Sequence, residues 1–522
     1  MKDMKNGITR SDVKRGIPQA RQKAASYFSR QDLRRIAILL LFGLISALSI
    51  LERPSIEQLA GGSLIASVLL FILYRDIMRY KPAYIKKYSM LLLLGLILVS
   101  TFLIVRLYSY LLFSLSKGIG FIPVEGNEFG IPLPAGVMLV ALLFDFHTAI
   151  TFSFIVSILT GLWLQDASFT FYAFVGSLTA AFSVIRCKKR SALILGGLYV
   201  SVVNILAVII ISLFDGGLFT LKTLSSMTFA AFAGVSVSAI VSILLPFIEY
   251  SFNVTTDISL LELLDLNQPV MRNLMIAAPG TYHHSVIVGN LVESAAEAVG
   301  VNSLLGRVSA YYHDIGKIKM PDYFIENQSG SVSKHERLTS HMSSMIIINH
   351  VKEGVEIAKQ NKLPQSIIDI IQQHHGTTLI NYFYQKAKEQ GTETSLAEED
   401  YRYPGPKPQT RVAALVMMAD EVEAASRVLK DPTPSRIASL VDKVINRIFL
   451  EGEMDECELT LKDIHEVKKR FTYILTGIFH KRVDYPGFYF ADGLYKEPAK
   501  ENKGKSTENR KISKEGSPST HS

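Results

Sequence analysis

Residues 191–213 read SALILGGLYVSVVNILAVIIISL, without a charge from end to end. At about 1.5 Å of rise per residue, such a run crosses a hydrocarbon core of about 30 Å as a helix. Two more uncharged runs of this kind, 88–105 and 224–248, lie on either side of it. Weaker apolar runs at 36–51, 59–74, 129–144, 148–164 and 169–185 bring the expected count to eight spans, of which 59–74 and 129–144 are the shortest. The run 36–51 has the look of a signal peptide, but no small-residue cleavage site follows it and another apolar span begins a few residues later, so it reads as an anchor. The chain as a whole agrees: 48% of its 522 residues are hydrophobic, only 20% are charged, and the mean hydropathy is +0.25. That composition excludes both disorder throughout and a purely soluble enzyme.

Charge supplies an independent test of the topology. The net charge is +8, and its placement matters more than its size. With the N-terminus inside, the inner loops 75–87 and 186–190 carry nine Lys and Arg, and the tail 1–35 carries ten more. The outer loops hold only Arg53, Arg106, Lys117 and Lys222. Lys and Arg favour the cytoplasmic face, so both chain ends of this multi-pass membrane protein are predicted to be cytoplasmic. Topology and attraction to anionic lipid account for the basic tail without a nucleic-acid polymer as partner. Polar residues at membrane depth are few. Asp145 and His147 flank a predicted tight inner turn, and Asn204 has no charged neighbour in sequence, which favours an anchor or sensor over a pump.

After residue 248 the composition becomes that of a soluble helical domain. Apolar residues recur at three- and four-residue spacing in 260–266, 286–299, 304–312, 342–360, 366–373 and 412–429, and strand-like alternation is rare. The predicted fold is therefore all-α: a polytopic membrane domain (36–250), a connecting helix (251–266) and a cytoplasmic helical domain (267–492). Turn residues mark 388–409 as a loop, and 493–522 reads as a disordered polar tail.

Histidines are concentrated in that domain. Eight of the 12 (His283, His284, His313, His335, His341, His350, His374 and His375) fall between 283 and 375. The two cysteines, Cys187 and Cys457, are too few and too far apart for a thiolate site, so any metal must be held by imidazole and carboxylate. His313-Asp314 and His374-His375 are doublets, and Asp420 ends the apolar run 412–419. Neighbours on a helix diverge by about 100°, so neither doublet can aim both side chains one way, although both can reach a two-metal site lying between their directions. Other histidines have plainer readings: His465 and His480 as core residues, His335 and His341 as surface residues beside the polar loop 330–340. Between His341 and His350 the helical pattern favours His350, with Met345, Ile346, Ile348 and Val351 around it on the expected buried side.

The runs Ala278-Pro-Gly-Thr-Tyr-His-His-Ser285, Tyr311-Tyr-His-Asp-Ile-Gly-Lys317, Tyr323-Phe-Ile-Glu-Asn-Gln328, Asn349-His-Val-Lys-Glu-Gly354, Gln373-His-His-Gly-Thr377 and Met418-Ala-Asp420 resemble the HD-domain phosphohydrolases. More narrowly, behind a multi-span region, they resemble the bacterial seven-transmembrane-HD family of cyclic di-AMP phosphodiesterases. The resemblance covers nearly the whole chain from 59 to 492. It implies a ligand set of His284, His313, Asp314, His350, His374, His375 and Asp420, with Asp314 bridging two divalent ions, Mn or Fe. His284, His313 and Asp420 would complete one ion, and His350, His374 and His375 the other. It also implies hydrolysis of cyclic di-AMP to linear pApA, a cyclic dinucleotide and the lipid bilayer as partners, and is compatible with a homo-oligomer. The chain departs from the family between its first two spans, where members carry a long extracytoplasmic domain and this sequence has only 52–58.

Two cations about 3.5–4 Å apart acidify water and clamp phosphate oxygens, which phosphodiester hydrolysis requires. Lys317, three residues after Asp314, is placed to reach a phosphate, with a solvated surface lysine as the plain alternative. Other readings keep the fold but change the substrate to another nucleotide or cyclic di-GMP, or remove catalysis altogether and leave a nucleotide-sensing receptor. Against cyclic di-GMP, Gly376-Thr-Thr378 stands after His375 where the related class carries Gly-Tyr-Pro.

Overall fold

Apolar sequence continues into helix wherever the sequence runs above are long. The computed structural model describes residues 30–51, 54–81, 88–119, 125–185, 187, 189–328, 333–390 and 397–479. Eight apolar helices come first: α1 (Arg30–Ile50), α2 (Ile56–Tyr80), α3 (Tyr88–Ile119), α4 (Pro134–Leu143), α5 (Phe146–Leu164), α6 (Ala167–Ser183), α7 (Ser191–Phe214) and α8 (Leu221–Phe252). Among the described residues, six are long and apolar enough to cross a membrane, and the helical stretches Asn127–Leu143 and Ala167–Ser183 are shorter. The expectation for 59–74 is thereby corrected, because α2 runs for 25 residues. The weak spans are 129–144, as expected, and 169–185. Arg106, expected in an outer loop, lies inside α3 and donates through Nη2 to the Leu51 carbonyl just past α1, at 2.7 Å.

The short α4 is explained by where it sits. It packs against α3, α5, α6 and α8, and Pro134 through Val140 are all buried. A segment enclosed by protein has no lipid-facing backbone to satisfy, so it need not span. Small residues set the closest crossing. A Cβ on Gly197 of α7 would lie 2.5 Å from the Gly234 carbonyl of α8, and one on Gly234 would lie 2.3 Å from the Gly197 carbonyl. Asn204 is fully buried, and neither its amide nitrogen nor its oxygen has a partner among the described residues.

The predicted connecting helix is broken. Asn253 takes a left-handed conformation (φ 51°) that ends α8, and Thr256 caps α9 (Asp257–Leu263) by accepting from Ser259 N. Two contacts brace this junction. Arg190 donates to both oxygens of Glu262 at 2.7 and 3.0 Å, and Thr255 shares a 2.9 Å hydrogen bond with Ser366.

The remaining helices are α10 (Pro269–Ala277), α11 (Pro279–Val299), α12 (Ser303–Tyr312), α13 (Ser340–Gln360), α14 (Gln365–Gln373), α15 (Asn381–Gln390), α16 (Arg411–Ser426), α17 (Pro434–Leu450) and α18 (Leu461–Ile478). No strand occurs among the described residues, only an isolated bridge from Leu379 to Arg402, the latter within the predicted loop 388–409. Helix α16 is the centre: Val412 through Asp420 are buried, and α11, α12, α14 and α17 pack around it. Both cysteines are free. The basic stretch 1–29, residues 82–87 of the inner loop 75–87 and the polar stretch from 480, with His480, lie outside the described residues.

Candidate metal centre

Each histidine doublet straddles a helix end, which resolves the divergence a continuous helix would impose. His313 is the C-cap of α12 and Asp314 opens a 3-10 turn (Ile315–Lys319). Likewise His374 is the C-cap of α14 and His375 falls in the following turn. The 3-10 turn can lie on α13 because residue 316 is glycine: a Cβ there would be 1.8 Å from the His350 carbonyl. Helix α11 turns His284 inward and leaves His283 exposed.

Seven side chains converge. His284, His313, Asp314 and Asp420 form one group and Asp314, His350, His374 and His375 another, with the donor atoms of each group within 4.8 Å of one another. Asp314 belongs to both. Its Oδ2 lies 3.3 Å from His313 Nε2 and 3.7 Å from His284 Nε2, while its Oδ1 lies 3.3 Å from His350 Nε2 and 3.8 Å from His374 Nε2. Asp420 Oδ1 lies 2.9 Å from His284 Nε2, and its Oδ2 is 3.7 Å from His375 Nδ1.

The proton inventory favours a cation here. His313, His350 and His374 each place Nδ1 on a carbonyl three residues back, Ala310, Ile347 and Ile371, at 2.7, 2.5 and 2.6 Å. A carbonyl only accepts, so these Nδ1 atoms carry hydrogen and it is the Nε2 atoms that face inward. His350 Nε2 and His374 Nε2 approach to 3.3 Å, so both rings present the same nitrogen to one point. Neither oxygen of Asp314 nor Nε2 of His313 has a well-aligned hydrogen bond, although Lys317 Nζ is 2.6 Å from Asp314 Oδ2 as an ion pair. Buried donors without partners are what a metal satisfies.

Electrostatics follow from the same contacts. Burial works against both carboxylates. Even so, His313 and Lys317 hold Asp314 well below the usual carboxylate range, and the hydrogen bond from His284 with the nearby His313 does the same for Asp420. Burial pushes His375 down to about 3, and burial with the neighbouring His375 and His313 lowers His374, so both are neutral, as metal ligands must be. Burial alone would lower His313. Asp314 and Asp420 outweigh it and push this imidazole up to about 10.

Lys317 is neither solvated nor free. It is largely buried between Asp314 and Glu326, whose Oε1 accepts at 2.9 Å, and these carboxylates raise its basicity against the penalty of burial. Several site residues escaped the sequence reading. Glu423 accepts from His284 Nδ1 at 2.6 Å and is tied to Arg427, and its spacing three residues after Asp420 on α16 was the available signal. Tyr403 stacks on His375 with 4.3 Å between centroids, and Glu453 accepts from Thr377 N (2.9 Å) and Oγ1 (2.5 Å) just past the His374-His375 pair. No local pattern marked either one.

Three expectations for other histidines change. His335 is buried rather than at the surface, donating from Nε2 to the Tyr323 carbonyl at 2.8 Å and packing on Phe383. His465 is exposed rather than in the core, and Met345, expected on the buried side of α13, is also exposed. His341 is half-buried against Tyr401, away from the cluster. Beside the cluster opens a cavity of about 450 Å³, flanked by Lys317, Ile325, Glu326, Arg427 and Val428.

Comparison with known proteins places the two halves separately. Residues 56–256, which hold seven of the apolar helices, match the family described as 7TM receptor with intracellular HD hydrolase, and residues 281–425 match the HD domain. The chain is 39% identical over 373 residues to the cyclic-di-AMP phosphodiesterase PgpH of Bacillus subtilis, covering 70% of this chain and 52% of that protein. It is 36% identical over 440 residues to PgpH of Listeria monocytogenes, covering 83% and 60%. The chain thus spans only half to three-fifths of the length of these curated relatives. A crystal structure of the L. monocytogenes PgpH HD domain in complex with cyclic-di-AMP is 48% identical, covers 42% of this chain and all of that one, and has a TM-score of 0.40.

Proposed function

Because the chain belongs to the family that joins a 7TM membrane region to an HD hydrolase domain, we propose that it is a membrane-anchored, metal-dependent phosphodiesterase that opens cyclic di-AMP to pApA. The observation that carries this reading is the double donor set sharing Asp314, complete and with the ligand atoms of each group within 4.8 Å of one another. On this reading His284, His313, Asp314 and Asp420 hold one divalent ion, and Asp314, His350, His374 and His375 hold a second, manganese or iron. Such ions supply Lewis acidity toward water and phosphate oxygens.

The protein's own groups orient and balance charge. Backbone carbonyls fix three imidazoles and Glu423 fixes His284, so the rings need not reorganise when the substrate arrives. Lys317, held protonated by Asp314 and Glu326, and Arg427, tied to Glu423, bring two cations to the cavity, which suits a substrate with two phosphodiesters. The membrane region (36–250), the junction (251–266) and the catalytic domain (267–492) are the functional divisions of this reading, with both ends in the cytoplasm of a bacterial cell.

The test uses the full chain purified without oxygen in lipid nanodiscs and supplied with Mn²⁺ or Fe²⁺. It is offered cyclic di-AMP, cyclic di-GMP and a nucleoside monophosphate, with products resolved by chromatography. Accumulation of pApA that chelator abolishes is the expected result. Turnover confined to one of the other nucleotides, or none with either metal, would overturn the assignment.

A further inference from the structure

We propose that the cavity where α8 meets the HD-side helices binds the phosphate headgroup of an anionic phospholipid. This cavity, about 650 Å³, is separate from the metal centre and is lined by Pro246, Tyr250, Glu262, Gln268, Lys359 and Lys362 among others. Its charge is asymmetric. Glu262 is engaged by Arg190 through two hydrogen bonds, and Glu249, also on the wall, accepts from Thr256 Oγ1 and lies 3.7 Å from Arg190. Lys359 and Lys362 are exposed and have no ion pair among the described residues. Both acids are therefore engaged by Arg190 within the protein, while the two lysines on the wall are exposed and without an acidic partner among the described residues.

Lys362 also occupies a position that suits another residue. Its φ is +55°, just beyond the end of α13, where glycine is the ordinary choice and a side chain is strained.

The cavity's position selects a lipid over a soluble phosphate. Ile243, Phe247 and Tyr250 are 74%, 68% and 77% exposed and fall at i, i+4 and i+7, a single outward stripe on a membrane helix. That stripe leads directly to the cavity, since Tyr250 belongs to both. Acyl chains lying along the stripe put a headgroup at its foot, within reach of the two lysines. An anionic surface attracts basic side chains placed at this depth.

The experiment measures selectivity in nanodiscs holding the full chain, as the association of spin-labelled phosphatidylglycerol relative to spin-labelled phosphatidylcholine. Preference for the anionic lipid is expected to fall at least about threefold in the Lys359→Gln/Lys362→Gln double variant. The control, Lys443→Gln/Lys469→Gln, alters two exposed lysines on α17 and α18 and is expected to keep the wild-type preference. The proposal is overturned if the first double variant keeps that preference, or if both variants lose it equally. It is also overturned if glycerol phosphate displaces the labelled lipid at equal concentration, which would make the ligand a soluble phosphate.

Discussion

Asp314 is the residue on which both halves of the donor set depend, since one carboxylate oxygen faces His313 and His284 and the other faces His350 and His374. Asp314→Ala is predicted to abolish hydrolysis and to lose both metals while the helical circular dichroism persists. A variant that kept two metals per chain and near-normal turnover would refute the bridging role. His284→Ala and His350→Ala should each cost at least about a hundredfold in turnover, whereas His283→Ala and His341→Ala, whose side chains stay outside the cluster, should cost far less. Steady-state rates on the four variants decide it, and a dead His341→Ala beside a healthy His350→Ala would reverse the choice. Acid–base behaviour gives a third test. His313 is raised from its ordinary range to about 10 in the folded, metal-free site, so at pH 7–8 it carries a proton that an incoming ion must displace. Metal affinity should therefore rise with pH, and uptake should release at least one proton per chain, measured by calorimetry in buffers of different ionisation enthalpy. Uptake without proton release would count against it. In the metal-free protein the same raised value stabilises the fold below pH 6.5, and that contribution is lost as pH climbs toward 10. The ligand candidates were legible because they sit in short runs of distinctive residue types. Tyr403 and Glu453 were not, because they reach the site from distant segments, and His335 misled because a polar loop in sequence folded back over an aromatic ring.

Among the elements, the 3-10 turn after Asp314 is closely constrained. It lies against α13 with only hydrogen at residue 316, since a methyl would stand 1.8 Å from the His350 carbonyl and 2.6 Å from the Gly354 nitrogen. Both are backbone atoms that cannot swing aside. Gly316→Ala is predicted to cost about 1–3 kcal/mol of stability and to weaken metal binding, because it drives apart the elements that carry Asp314 and His350. Thermal unfolding with parallel metal analysis tests it, and a variant as stable and as metal-rich as wild type would contradict it. Periodicity located the helices well where one face is buried and the other is not. It misjudged length where a span continues beyond its apolar centre, as α2 does through Arg75, Asp76 and Arg79. It also gave no sign that α4 would be enclosed by four neighbours, because burial on all sides leaves no alternation to read.

At the scale of the molecule, the bias of Lys and Arg toward one set of loops predicts sidedness. A reporter fused after residue 492 should read cytoplasmic, and one inserted in the 214–222 loop should read external. An external reading from the C-terminal fusion would separate the metal centre from any cytoplasmic nucleotide. The division of the chain into an apolar and a polar half was plain from composition. The junction was not, since one glutamate–arginine contact and one threonine–serine bond leave no periodic trace. That junction makes α8 a lever. Its 32 residues extend about 48 Å, so a tilt of about 5° about its far end sweeps its foot through about 4 Å. Only Asn253 to Thr256 lie between that foot and α9, and Thr255 within them grips Ser366, in the first turn of α14. The opposite end of α14 is capped by His374. A tilt of the span therefore reaches the donor set by two routes, along α14 to His374 and through the Tyr312 hydroxyl, which donates to the Leu263 carbonyl at the end of α9, to the neighbouring His313.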